Sequence, residues 1–325
     1  NSDTKRIQQA VNGARPHDVI LLKAVNDGVT FDSSRYAAGA LTSFEMGDDN
    51  PGTPVTFVLA GGTFDMDTAL NTTPFYSTAK RGVVVGPLGP SQPITPLTIR
   101  GEVDADENPI THLTQTGVNA RFAKAAGAFA CFFVHGLESV RFENLKISRF
   151  AEGIHTWSIF EIDNCHFDRC PQAFFWALDD RLVYPHLASD PGNYDDLRRS
   201  TLRRCKVTNC NTANHGWGSG VVIEKCQFGP FLVHPARPGE LTSVSFPFVY
   251  IARSGGFLTY GIPRSVLDVA ICRDMIIRKN RYVNTGGLFV IGAVLDMEAG
   301  PGALMENNSI SDNTFEDWSS TDATI

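Results

Sequence analysis

One kind of short segment recurs through the second half of this chain and constrains the fold more than any other feature. Each copy has an apolar pair, a polar dyad and a second alternating pair, as in VRFENLKISRF, FEIDNCHFDRC and VVIEKCQFGPF. The copies lie at 140–150, 160–170, 200–210, 221–231, 275–285 and 303–313. Their central positions are Leu145, Cys165, Cys205, Cys226, Asn280 and either Asn308 or Asn313.

The spacing of these copies indicates a coil with three strands per turn. Leu145 and Cys165 are 20 residues apart, and Cys205 and Cys226 are 21 residues apart. A single turn of this length cannot bury its inner face, so successive turns must stack and pair in parallel, about 4.8 Å apart. The predicted fold is therefore all-β, a right-handed parallel β-helix.

Three motifs resemble the pectin-lyase-like superfamily of parallel β-helices, whose members are largely carbohydrate-active. The cadence G-I-x-x-x-S-x-x-x-I-x-N-C/N-x-F/I follows that group, and LTIRGE at 97–102 is similar to its early turns. The opening TKRIQQAVNGARPHDVILL resembles its N-terminal capping helix and first strand. The resemblance implies an architecture and a carbohydrate ligand, and it names no substrate.

The whole chain, 1–325, is predicted to be a single domain. Its parts are a cap helix and first strand at 1–31, irregular early turns at 32–127, and regular turns at 128–317 with insertions at 179–200 and 253–271. Apolar residues fall on one face of the cap helix, which can cover the open end of the coil. The other end shows no closing cap, so association into a homo-oligomer is one expectation.

Composition narrows the classes of partner. Hydrophobic residues make up 42% of the chain and charged residues 19%, enough for a substantial core. The net charge of −7 argues against a nucleic-acid partner, and mildly against an anionic polysaccharide unless basic residues are concentrated in one groove. No apolar run is long enough to span a bilayer, so no membrane partner is expected.

Seven cysteines form neither a complete disulfide framework nor a Cys-x-x-Cys pair. No metal site and no cofactor is therefore predicted, and the cysteines are expected in the core. The asparagines Asn144, Asn164, Asn280 and Asn313 are expected at turns. The first residue is Asn, so a removed leader is one interpretation, and a secreted or cell-surface location is expected.

A histidine recurs ten or eleven residues before the central position of a turn. His135, His155 and His215 show this spacing, and Phe175 and Tyr250 take the same place in the turns between and after them. Apolar neighbours should point into the coil, so period two directs the histidines outward, with Trp157 and Trp217 on the same side.

Two interpretations of this outer row are open. Like residues stack in a β-helix because neighbouring turns offer the same environment, which would make the row inert. Alternatively, the row lines a sugar-binding groove, in which aromatic faces stack on pyranose rings and polar side chains bond the hydroxyls. The insertions favour the groove, because one follows Phe175-Trp176, the other follows the Tyr250 strand, and the two would form one wall.

Candidate catalytic groups lie at the edge of this row. Asp179 and Asp180 could divide the acid and base roles of glycoside hydrolysis. Together with His215-Gly216 they resemble an element of polygalacturonase-type hydrolases, although the Asn-Thr-Asp element of that family is absent. β-Elimination from a uronate is the second option, with Arg181, Arg253, His155, His215 and Tyr184 as candidate cation and base.

The sequence thus predicts an enzyme that cleaves polysaccharide by hydrolysis or elimination. The predicted catalytic residues are Asp179, Asp180, His215, His155 and Arg181. The predicted substrate-binding residues are His135, Trp157, Phe175, Trp176, Tyr184, Trp217, Tyr250 and Arg253. The alternative is a non-catalytic glycan-binding adhesin or viral tail fibre, in which Asp179 and Asp180 need no nearby histidine or second acid.

Overall fold

The computed structural model describes part of the chain, mostly short β-strands and the corners between them. The described residues are 19–22, 43–44, 55–59, 62–65, 83–85, 97–114, 130–134, 137–150, 152–170, 172–210, 212–229, 249–252, 271–283, 295–297 and 304–316. No helix among them is long and apolar enough to cross a membrane.

Three parallel sheets run along the molecule. The first contains Val19–Leu22, Val55–Leu59, Leu97–Arg100, Ser139–Glu143, Ile159–Asp163, Ser200–Arg203, Val221–Glu224, Ile276–Arg278 and Ser309–Ser311. The second contains Gly62–Asp65, Thr111–Thr114, Leu145–Ser148, His166–Asp168, Lys206–Thr208, Gln227–Phe228, Arg281–Val283 and Thr314–Glu316. The third contains Ser43–Phe44, Val83–Val85, Ala130–Val134, Glu152–Thr156, Gln172–Ala177, Thr212–Trp217, Val249–Ala252 and Leu295–Met297.

Three smaller elements lie outside these sheets. Ile271–Arg273 pairs in parallel with Leu304–Glu306. A short α-helix spans Asp180–Val183, and a 3-10 helix spans Pro185–Ala188.

The chain visits the three sheets in a fixed order, which makes the fold a parallel β-helix. Ser139–Glu143 in the first sheet is followed by Leu145–Ser148 in the second and Glu152–Thr156 in the third, and the chain then returns to the first sheet at Ile159. Three strands per turn were predicted from the 20-residue spacing, and the structure confirms them. The region 32–127, expected to form irregular early turns, contributes the strands Val55–Leu59, Val83–Val85 and Leu97–Arg100 to the sheets. The predicted capping helix lies outside the described residues.

Asparagines occupy the sharp corner between the first and second sheets. Asn144 and Asn164 have φ angles of 58° and 51°, a left-handed conformation that asparagine tolerates better than most residues. The Nδ2 group of Asn164 donates to Oδ1 of Asn144 in the turn below, at 2.9 Å. These two residues serve turns, as predicted.

The central column, the set of residues that begin or directly precede the strands of the second sheet from Leu145 onward, follows the predicted order. The residue that follows each column member pairs with its counterpart in the next turn. Lys146 pairs with His166, His166 pairs with Lys206, and the same register continues as far as Thr314. Leu145, Cys165, Cys205, Cys226, Asn280 and Asn313 therefore stack in register, which selects Asn313 over Asn308.

The described cysteine side chains belong to the core, as predicted. Cys131, Cys165, Cys170, Cys205, Cys210 and Cys226 are buried and form no disulfide. Burial raises the pKa of the Cys170 thiol to about 12, so this group stays protonated and packs as a small apolar residue.

Asn280 bonds to the turn below and not to its own corner. Its Oδ1 accepts from the backbone N–H of Cys226 at 2.9 Å, and its Nδ2 donates to the carbonyl of Ile223 at 3.0 Å. With 1% of its surface exposed, Asn280 satisfies two backbone groups that have no access to water.

We predict that Asn280→Ala lowers the free energy of unfolding by about 2–4 kcal/mol, because two buried backbone groups lose their partners. Urea denaturation measures the change. Asn193→Ala is the matched control, since Asn193 also makes two side-chain hydrogen bonds, to Asp190 and Asp195, but in a solvent-exposed turn. The control should change stability by no more than about 0.5 kcal/mol. Equal losses in the two variants would contradict the role given to Asn280.

Candidate functional site

One row of residues on the outer face of the third sheet stands in register across successive turns. The pairs are Phe133 with His155, His155 with Phe175, Phe175 with His215, His215 with Tyr250, and Tyr250 with Asp296. The predicted order of His155, Phe175, His215 and Tyr250 is confirmed. His135 lies outside the described residues, and Phe133 holds the position next to His155 that was predicted for it.

A bend in the strand Glu152–Thr156 puts two consecutive residues, Gly153 and Ile154, on the inner side. Ile154 is fully buried in the core. A Cβ on Gly153 would lie 2.4 Å from the carbonyl oxygen of Ala173 and 2.6 Å from the ring of Phe167, so only glycine fits. Because of this bend Glu152 and His155 both face outward, although they are three residues apart. Strict period-two alternation would put Glu152 on the other face, so the sequence pattern alone does not reveal its pairing with His155.

Glu152 and His155 form a buried carboxylate–imidazole pair. The Nδ1 atom of His155 lies 2.7 Å from Oε2 of Glu152, and the two residues are only 8% and 6% exposed. A carboxylate that accepts from Nδ1–H fixes the ring orientation and directs proton exchange to Nε2. This pair has the arrangement of a general base and its orienting group.

The imidazole of His155 belongs to an aromatic stack with Phe133 and Phe175. The ring centroids lie 4.6 Å apart for His155 and Phe133 and 4.2 Å apart for His155 and Phe175. The exposed fractions of Phe133 and Phe175 are 4% and 6%. Phe175 is 6% exposed and one face of its ring lies against His155, so in this arrangement the ring offers little surface to a sugar. The predicted substrate-binding role of Phe175 therefore does not fit the structure.

Beside the aromatic stack runs a second outer row that alternates tryptophan and alanine. Ala177 pairs with Trp217, and Trp217 pairs with Ala252. Trp157 extends this row by one turn, because it follows Thr156, the partner of the residue before Ala177. Trp157 is half-buried, and its ring centroid lies 5.8 Å from that of Phe133 and 6.0 Å from that of His155. We call these four positions the tryptophan–alanine row. For Trp217, His215 and Tyr250 the structure describes the backbone position and not the side chain.

Asp179 and Arg181 bind each other at the start of the insertion. Asp179 caps the helix Asp180–Val183 by accepting from the backbone N–H of Arg181 at 2.9 Å, and the Arg181 guanidinium forms a bidentate pair with the same carboxylate. Asp180, half-buried, forms the first turn of this helix. Asp179 and Arg181 thus form an ion pair that stabilises the start of the helix. Neither of them lies beside a described histidine.

Trp176 and Tyr184 are buried, in contrast to their predicted places in the groove. Trp176 points into the coil, with its ring 5.3 Å from Phe174 and 5.9 Å from Phe160. The hydroxyl of Tyr184 donates to Oδ2 of Asp274 at 2.7 Å, and burial together with that hydrogen bond raises its pKa well above the usual range. Neither residue can contact a ligand on the outer face.

The insertion 179–199 is fixed to the body of the coil. Besides the bond from Tyr184, the guanidinium of Arg273 lies 3.8 Å from the ring centre of Tyr194. The insertion begins beyond Ala177, and the segment from residue 253 begins beyond Ala252, which stands in the same row. Ala177 and Ala252, which precede the two insertions in the sequence, thus lie at the same edge of the third sheet. Arg253 itself lies outside the described residues.

The two described histidines of the second sheet lie on its outer face. The Nε2 atom of His112 lies 2.7 Å from the hydroxyl of Ser148, and that of His166 lies 2.9 Å from the hydroxyl of Thr208. Burial and then the charge of Lys146 lower the pKa of each to about 4. Among the described residues no group of three histidine, cysteine or carboxylate side chains is placed to hold a metal ion.

Comparison with known proteins shows similarity to a solved structure and to no family model. No protein-family model matches the sequence, and no curated protein sequence matches it. The chain is similar to the crystal structure of a pectin methylesterase from Aspergillus niger, with 12% sequence identity and a TM-score of 0.31, over 92% of this chain and 89% of that one.

The second-sheet histidines predict an acid-labile fold. Their folded pKa values near 4 lie below the unfolded value of 6.5. As the pH falls from 6.5 towards 4, the unfolded chain binds protons that the folded chain does not, so the free energy of unfolding decreases. Above pH 6.5 both histidines are neutral in the folded and the unfolded chain, so none of this stability is lost there. Urea midpoints across this window measure the slope, which should flatten in His112→Gln/His166→Gln. An unchanged slope in that variant would contradict the assignment.

Proposed function

We propose that this protein is a polysaccharide-processing enzyme whose glycan lies along the outer face of the third sheet. The observation that carries the proposal is the adjacency of two rows on that face. The tryptophan–alanine row offers a surface for sugars, and the neighbouring row places the Glu152–His155 pair beside it.

The tryptophan–alanine row has the spacing of a glycan platform. Trp157 and Trp217 are two turns apart. At the usual separation of neighbouring strands, this corresponds to a distance of about 9.6 Å between the two positions. Ala177, whose side chain is small, stands between these two positions in the row. Alternate sugar units of an extended chain repeat over a similar length, so every second pyranose can stack on an indole face.

The Glu152–His155 pair supplies proton transfer next to that platform. Glu152 holds Nδ1 of His155 and the aromatic stack fixes the ring plane, so proton transfer would take place at Nε2, which is a buried atom. A base held in this way takes a proton from water in hydrolysis, or from the carbon next to a uronate carboxyl in elimination. His155 is the proposed catalytic residue, and Glu152 is its positioning residue.

Hydrolysis and elimination remain the two reaction classes of the proposal. The acid pair proposed for hydrolysis depends on Asp179, and the cation proposed for elimination includes Arg181. Since these two side chains neutralise each other in the structure, we base the proton transfer on His155 in either reaction. The product distinguishes the two, because elimination leaves an unsaturated sugar that absorbs ultraviolet light.

A non-catalytic glycan-binding protein is the second candidate function. The closed aromatic stack favours it, since rings that cover one another stabilise stacked turns without any chemistry. In this case Trp157 would still contact sugar, and the Glu152–His155 pair would be purely structural.

We predict that His155→Gln lowers the rate of product formation at least about 100-fold, because the general base is lost, while glycan affinity changes little. Glu152→Gln, which keeps an acceptor for Nδ1–H but removes the charge, should lower kcat less and shift the pH–rate profile. Reducing ends and ultraviolet absorbance are followed on neutral and uronic polysaccharides.

The control is His186→Gln, which breaks another histidine–carboxylate pair, with Asp196 at 2.6 Å, on the exposed surface of the insertion. It should leave the rate unchanged. A wild-type rate in His155→Gln would sink the catalytic assignment. Binding without products across the whole panel would establish the non-catalytic function instead.

We also predict that Trp157→Ala weakens glycan binding about tenfold, since one stacked aromatic ring contributes about 0.5–1.5 kcal/mol beyond its buried area. Trp157→Phe, which keeps a ring, should recover most of that affinity. Isothermal titration with an oligosaccharide substrate provides the measurement. Equal affinity in wild type and Trp157→Ala would remove this row from the binding site.

A further inference from the structure

A strip of positive charge runs across the outer face of the second sheet. Lys146 pairs with His166, and His166 pairs with Lys206, so the two lysines are two turns apart on one row. Arg149 and Arg169 occupy equivalent corner positions, directly after Ser148 and Asp168. We call Lys146, Lys206, Arg149 and Arg169 the basic strip.

The two lysines of the basic strip have no carboxylate bound to them among the described residues. Neither Lys146 nor Lys206 makes an ion pair there, and Lys206 and Arg169 are exposed. The nearest carboxylate of the face is Asp168, which accepts hydrogen bonds from Thr208 at 3.0 Å and Asn209 at 2.7 Å. Its contact with Arg169 is long, at 3.7 Å.

The first sheet shows the opposite arrangement. Its outer arginines face carboxylates: Arg141 lies 2.6 Å from Glu143, and Arg278 lies 2.7 Å from Glu224. Charge on that face is therefore internally balanced. The basic strip is notable because it lies on a chain with a net charge of −7.

Burial and the lysines of the strip lower the pKa of both histidines on this face. The pKa of His166 is lowered to about 4 by burial and then by Lys146 and Lys206, against an opposing effect of Asp168. For His112 the lowering groups after burial are Lys146, His166 and Arg149, again against Asp168. The uncompensated charge of the lysines is thus felt by their neighbours.

We propose that the basic strip binds a linear acidic polysaccharide, with its carboxylate or sulfate groups on Lys146 and Lys206. The two lysines are about 9.6 Å apart, two strand separations, which matches acidic groups on alternate units of an extended glycan. The overall negative charge of the protein disfavours nucleic acid, whose denser phosphates would be repelled outside the strip. This site lies on a different sheet from the proposed catalytic face and does not depend on catalysis there.

The test is isothermal titration with a uronate hexasaccharide and a neutral hexasaccharide, at low salt and at an ionic strength of about 0.15 M. Wild type should bind the uronate oligomer more tightly, and the difference should shrink as salt is added. Lys146→Gln/Lys206→Gln should weaken uronate binding about tenfold, the effect expected when two charge contacts at the surface are lost. Affinity for the neutral oligomer should not change.

The matched control is Lys225→Gln/Lys279→Gln, which removes two exposed lysines from the corner between the first and second sheets. It has the same net charge as the test variant and should bind like wild type. Equal weakening in both double variants would show a net-charge effect and overturn the site. So would equal affinity of wild type for the two oligomers, or tighter Lys-dependent binding of a single-stranded oligonucleotide. Unfolding midpoints of each variant confirm that the fold is retained.

Discussion

Parallel pairing between successive turns is the constraint on which the rest of this structure depends. Each strand pairs with the equivalent strand one turn away, so a residue at a given position stands directly above its counterpart. Every position therefore becomes a row along the molecule, and the composition of a row decides what that row does. Rows of cysteine pack in the core, and a row of stacked aromatic rings covers part of one outer face. A row with two lysines gives another outer face a positive charge.

The rows inside the coil were accessible to sequence reasoning because repeats reveal them directly. Cys165, Cys205 and Cys226 recur at fixed offsets, and so do Phe175 and His215 on the outer face. Once a three-strand turn is inferred, the order within these rows follows by counting. The same counting gave a wrong neighbour for His155, since it put a histidine where Phe133 stands.

Local departures from regularity account for what counting could not find. The bend at Gly153 brings Glu152 to the face of His155, and nothing in a period-two pattern signals it. The insertion after Ala177 begins with a capped helix, which turns Asp179 and Arg181 towards each other and buries Tyr184. The basic strip draws its members from residues 60 positions apart along the chain, from Lys146 to Lys206, so only the register shows that they are neighbours.

The central claim is that a glycan lies along the tryptophan–alanine row beside the Glu152–His155 pair. A crystal structure of the His155→Gln variant with an oligosaccharide substrate tests it most directly. The account predicts a pyranose ring within about 4 Å of the indole of Trp157, with the chain running from there towards Trp217. Sugar bound on another face, with the outer surface of the third sheet empty, would contradict it.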